Sequence, residues 1–88
     1  AHHDYPKALS EYRRIAYSFP DRPEGREALF RAGLTFIEQA KKEADPHPLL
    51  DEALQEFEKL HDTPGAPLQY LGKGLVYQIM NENEEEVK

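Results

Sequence analysis

The stretch "FPDRPEGREALFRAGLTF", residues 19–36, decides how the chain is read. Pro20 and Pro23 end whatever precedes it, and Asp21 stands three residues before Glu24. That spacing predicts a capping box, with Asp21 accepting from the first turn and Glu24 reaching back to its amide. Apolar residues then recur at three- and four-residue steps, the period of a helix. The helix is expected to run to about Ala44, where Asp45-Pro46 stops it. It carries two stripes, one of Leu29, Ala32, Gly33, Phe36 and Ala40, the other of Phe30, Leu34 and Ile37. A helix with one buried face needs a single stripe, so this one should be covered on two sides.

Working outward, the upstream segment Asp4 to Phe19 places Ala8, Leu9, Tyr12, Ile15, Ala16 and Phe19 on one face. Asp4 suits its cap, and Pro6 is tolerated in a first turn. Leu9, Tyr12, Ile15 and Phe19 are expected to pack partly on Leu29 and Phe36. Downstream, Pro48 opens a helix whose single stripe is Leu50, Ala53, Leu54, Phe57 and Leu60. Its other face, with Asp51, Glu52, Gln55, Glu56, Glu58 and Lys59, reads as a wet surface. The breaker Asp62-Thr63-Pro64-Gly65-Ala66-Pro67 precedes a fourth helix, Leu68 to about Met80. A fifth is expected to begin within "NENEEEVK". No strand alternation stands out, and the fold class predicted is all-α, antiparallel helical hairpins joined by short connections.

Composition narrows the function. The net charge of −6 disfavours a phosphate backbone as partner, since that affinity rests on Lys and Arg. No apolar run approaches the roughly 18 residues of a membrane span. With no cysteine, neither a disulfide nor a thiolate metal site is possible. The lack of an initial Met reads as a piece of a longer protein. No Ser-His-Asp order, phosphate-cradling glycine loop or HExxH is present, so no enzyme activity and no cofactor are expected of these residues. Gly72 and Gly74 flank Lys73 inside a helix, where packing is the expected role. Ala1-His2-His3 would bind Cu(II) or Ni(II) only with Ala1 as a free amino terminus and reads instead as a tag remnant or chance, His47 and His61 lack a second ligand at helical spacing, and no metal site is expected. Glu52 with Glu56, and Glu82 with Glu86, are carboxylate pairs one turn apart on faces read as solvated.

The half-motifs alternate along the chain. Leu29, Ala32-Gly33 and Phe36 match Tyr70, Lys73-Gly74 and Tyr77, while Ala8 and Tyr12, then Pro20, match Ala53 and Phe57. This order resembles the tetratricopeptide repeat, of bacterial type, with about two repeats present. The resemblance implies a short α-solenoid: residues 4–20 a second helix, 24–62 a complete repeat, 67–88 the start of the next. Leu29 replaces the family's Trp, and Glu86 stands where a small residue belongs. The gap from Phe36 to Ala53 is eight residues longer than the family's, which implies one extended hairpin around Lys41–Leu50. The quoted stretch also looks like the repeats of the Tol-Pal coordinator and of outer-membrane assembly lipoproteins. Comparable repeats occur as appendages of bacterial serine/threonine kinases.

By that resemblance, first helices line a concave groove, here Glu27, Phe30, Leu34, Ile37 and Glu38 with Leu68, Leu71, Leu75 and Gln78. The function expected is a protein–protein interaction scaffold taking a partner helix or peptide in this apolar groove. A structural or oligomerisation spacer, or a docking appendage of a larger enzyme such as a kinase, is the alternative. Neighbouring repeats or another copy could equally cover the groove, and self-association through exposed ends is expected.

Overall fold

The computed structural model describes residues 4–60 and 67–87, with side chains described as far as Glu82. Its four helices are α1 (Tyr5–Ser18), α2 (Pro23–Ala40), α3 (His47–Glu58) and α4 (Leu68–Val87). Among the described residues every element is helical. α2 is the central member, packing against α1, α3 and α4, while α3 also packs against α4. The two stripes of α2 are thereby covered from more than one side.

Local chemistry sets the helix ends, in places differently from the spacing. Asp4 caps α1 by accepting from the Lys7 amide at 3.1 Å. The capping box at α2 does not form. The Arg22 amide donates to the Phe19 carbonyl and closes the turn, so Arg22 becomes the cap residue and makes no side-chain cap bond. Asp21 instead offers its main-chain carbonyl to the Arg26 guanidinium at 3.0 Å. Gly25 is required there, because a Cβ would fall 1.9 Å from the Phe19 carbonyl oxygen.

α2 ends at Ala40, about a turn short of the expected Ala44. The Lys42 and Glu43 amides bond to Gln39 and Ala40, tightening the ladder to three-residue steps before it stops. Lys41, Lys42 and Glu43 are exposed, and Lys42 turns over the Tyr5 ring of α1, its Nζ 5.2 Å from the centroid. At the other end of the chain no separate fifth helix begins. α4 continues unbroken through the acidic run to Val87, since no Gly or Pro after Gly74 interrupts it.

The core consists of Phe36, Ile37, Ala40, Leu50, Ala53, Phe57, Leu60 and Val76. Its centre is the Phe57 ring, fully buried between two glycines on different helices. A Cβ on Gly33 of α2 would lie 2.3 Å from that ring, and one on Gly72 of α4 would lie 2.4 Å from it. Phe30 leans on the same ring, centroids 5.6 Å apart and planes tilted by 47°. The start of α4 is tied to the end of α3 by Gln69, whose side-chain amide donates to the Glu58 and Leu60 carbonyls.

α1 is held less deeply. Leu9 packs on the core and Ala16 is buried, but Phe19 is exposed rather than seated on α2. The polar face expected on α3 is also interrupted. Glu56 is only 3% exposed, because Arg13 of α1 reaches across to its Oε1 at 2.8 Å and Lys59 meets the same oxygen at 3.0 Å. Arg13 lies at the same time over the Phe36 ring, 5.7 Å from its centroid. Burial pushes the Glu56 carboxyl up, but the bonds and charges of Arg13 and Lys59 outweigh it and hold it below the usual carboxylate range.

Two predictions follow from this packing. Gly33→Ala and Gly72→Ala should each lower the melting temperature by several degrees. Overpacking costs about 1–3 kcal/mol against a helix-propensity gain of about 1 kcal/mol, and the ring has no room to retreat from one glycine without meeting the other. A circular-dichroism melt at or above wild type would show the ring is not clamped. The second concerns acid. Because the folded carboxyl of Glu56 is depressed, its stabilisation is present above the unfolded pKa and disappears as pH falls through the folded one. Glu56→Gln should therefore flatten the acid limb of a stability–pH curve, and an unchanged limb would remove Glu56 from the account.

Candidate interaction surface

The outer side of α4 forms an apolar trough with α2. Its open volume is about 870 Å3, lined by Phe30 of α2 and by residues 69–71, 73–75, 77 and 78 of α4. The cause is periodicity. Leu68, Gly72, Val76 and Ile79 recur at four- and three-residue steps and face the core, so residues half a turn away must face out. Tyr70 is 76% exposed, Tyr77 52%, Leu71 49% and Leu75 40%. Gly74 lies between them on the outer face, and a Cβ there would meet nothing within 4 Å.

The nine residues anticipated for a groove separate into two sets. Phe30, Leu71, Leu75 and Gln78 line the trough together. Leu34 and Leu68 are half-buried against the core, and Ile37, 5% exposed, belongs to the core itself. Glu27 is exposed and pairs along its own helix with Arg31 at 3.0 Å, and Glu38 is exposed near the end of α2. The trough adds Tyr70 and Tyr77, which the repeat spacing singled out without placing them in the groove. Polar groups border it sparsely. Lys73 is drawn to Glu58 of α3 at 3.6 Å, and Gln78 donates to Glu82 at 3.5 Å.

The other sequence candidates carry no assembled chemistry. Gly72-Lys73-Gly74 lies inside α4, where its amides belong to the helical ladder rather than to a phosphate-facing loop. Of this pair Gly72 packs on Phe57 and Gly74 does not pack at all. His47 begins α3 beside Asp45 at 3.7 Å. Among the described residues no three His, Asp or Glu side chains group as a metal ion would need, and no helix is long and apolar enough to cross a membrane. His2, His3, His61 and the Glu86 side chain lie outside the described residues. Glu56 is committed to the α1–α3 ion pair, so Glu52 and Glu56 are not two like carboxylates on a wet face.

Comparison with known proteins places this segment in one context. The chain is 73% identical over all 88 residues to part of a serine/threonine-protein kinase PknD of Protochlamydia amoebophila, where it corresponds to 9% of the length. It is 54% identical over 84 residues, 96% of the chain, to 9% of the PknD kinase of Chlamydia pneumoniae. The kinase of the same name in Chlamydia trachomatis serovar D is 44% identical over 84 residues, again 9% of its length. The chain thus spans about 9% of the curated relatives it matches. No family model and no solved structure matches it.

Proposed function

We propose that this chain is a helical-repeat segment of a larger serine/threonine kinase, serving as a protein-interaction scaffold through the α2–α4 trough. The observation that carries the reading is the trough itself: four large apolar side chains exposed side by side on one helix, with Phe30 as floor. Singly exposed apolar residues are ordinary, whereas a contiguous group marks an interaction surface. Its long axis follows α4, which suits a partner helix with anchors at three- and four-residue spacing. Similarity along the whole chain to a small part of three kinases supports a role beside catalysis rather than in it. The sequence contains none of the kinase catalytic signatures.

A tetratricopeptide-like stacking fits the order of contacts. Each helix packs on the next, and α2 also meets α4, as first helices of successive repeats do. Gly33 against Phe57 is the close approach that the small-residue step of the motif serves.

The scaffold reading is tested in the Protochlamydia amoebophila kinase with its segment replaced by this chain. A photo-crosslinking residue at Leu75 should join the kinase to a second protein, and the joined species should vanish when Leu71→Glu is added. Both positions are half exposed, so circular dichroism of the 88-residue variants should remain helical. Crosslinks confined to the kinase polypeptide would defeat the scaffold reading.

A further inference from the structure

α1 is fastened to α3 by half of a two-pronged contact. Arg13 places Nη2 on Oε1 of Glu56 at 2.8 Å, while Nε of Arg13 and Oε2 of Glu56, both buried, have no hydrogen-bond partner. A full fork would use both N–H groups on that edge of the guanidinium and both carboxylate oxygens. Arg13 therefore keeps capacity for an anion that takes its Nε–Nη2 edge whole. The same arginine lines a cleft of about 610 Å3 between α1, α2 and α3, together with Ser10, Arg14, Phe36, Leu49 and Glu52.

Ser10 is exposed on this cleft, three residues before Arg13 and four before Arg14, the spacings at which side chains meet on a helix. Among the described residues no other serine or threonine is so placed. Ser18 is exposed at the end of α1, where the helix dipole disfavours an added anion. Thr35 is buried, its hydroxyl donating to the Arg31 carbonyl at 2.9 Å.

From this arrangement we infer that Ser10 is a phosphorylation site whose phosphate releases α1 from α3. The inference rests on reading the chain as a segment of a serine/threonine kinase, and the donor is a nucleoside triphosphate. The Ser10 Oγ bonds to the terminal phosphorus, the bond from that phosphorus to the departing nucleoside diphosphate breaks, and the hydroxyl proton passes to a base. The product adds a charge of about −1.5 to −2 and three acceptor oxygens at neutral pH. Those oxygens take the Nε–Nη2 edge of Arg13, and they draw Arg14 from Glu11, its partner at 3.3 Å. Glu56 is then a buried carboxylate held by Lys59 alone, and the phosphate shares its cleft with the like-charged Glu52. Both effects push α1 away and uncover Phe36 and Leu49. α1 yields because Ala16 is its one buried residue, and the same local opening presents Ser10 to a kinase.

The test has two arms. In the Protochlamydia amoebophila kinase carrying this chain in place of its own segment, incubation with magnesium and ATP should place phosphate on Ser10, read by mass spectrometry of the digested protein. No phosphate on Ser10, or phosphate on Ser18 alone, would overturn the inference. In the 88-residue chain with phosphoserine incorporated at position 10, α1 amides should exchange about tenfold faster than in the unmodified chain, while α4 keeps its protection. Unchanged α1 exchange would overturn it as well. Arg13→Gln distinguishes the switch from general loosening by added charge. In that variant α1 already exchanges fast, and phosphoserine should add less than about twofold. A further acceleration equal to that in the unsubstituted chain would show the phosphate acting without Arg13, against the inference. Neither arm depends on the Leu75 crosslink, so this site and the scaffold reading can fail separately.

Discussion

The structure depends on one ring and two missing side chains. Phe57 projects from α3 between α2 and α4, and both helices come close enough only because Gly33 and Gly72 have no Cβ. A single aromatic thereby fixes the spacing of three helices at once. The gain is dispersion and apolar burial over a whole ring, with Phe30 adding a tilted aromatic contact. The cost is two glycines inside helices, each unfavourable by about 1 kcal/mol relative to Ala. Close packing of this kind transmits displacement, so the position of α4, and the trough on its outer side, is set by the fit beneath it.

α1 is attached by a different principle. Its apolar contact is shallow, and its link to α3 is the ion pair of Arg13 with Glu56. Glu56 is buried, so removing Arg13 would leave a desolvated carboxylate supported by Lys59 alone. Arg13 also covers Phe36, combining charge pairing with an aromatic contact in one side chain. α1 is therefore joined to α3 by an electrostatic tether, whereas α2, α3 and α4 are joined by packing on glycine.

Much of this was legible in local spacing, and what was not has a common cause. The four helices follow from apolar period and breakers, and the small-residue step at Gly33 from the repeat order. Period, however, specifies a face and not the neighbour opposite it. Gly72 and Gly74 lie on opposite sides of α4, and only the position of Phe57 decides which of them packs. Ile37 belongs to the stripe that spacing assigned to a groove, yet α3 and its neighbours close over it. Glu56 sits among charged residues on a face that reads as wet, and its partner comes from 43 residues away. The capping box at Asp21 failed for a similar reason. The close approach of Gly25 to Phe19 set the turn, and the cap residue moved to Arg22.

The distribution of exposed apolar side chains connects the fold to its use. Among the described residues the large ones are Tyr17 and Phe19 at the end of α1, and Tyr70, Leu71, Leu75 and Tyr77 on α4. None belongs to α2 or α3, whose faces are closed by neighbours. The interior is filled, and the large exposed apolar side chains are confined to the two outer helices. Charge borders the exposed face of α4. α4 leads from its apolar face directly into the run Glu82 to Glu86, where acidic residues predominate. Apolar contact on α4 supplies affinity with little selectivity, whereas a flanking acidic run repels like-charged surfaces and favours basic ones. The exposed face of α4 is thus apolar at its centre and acidic at its edge.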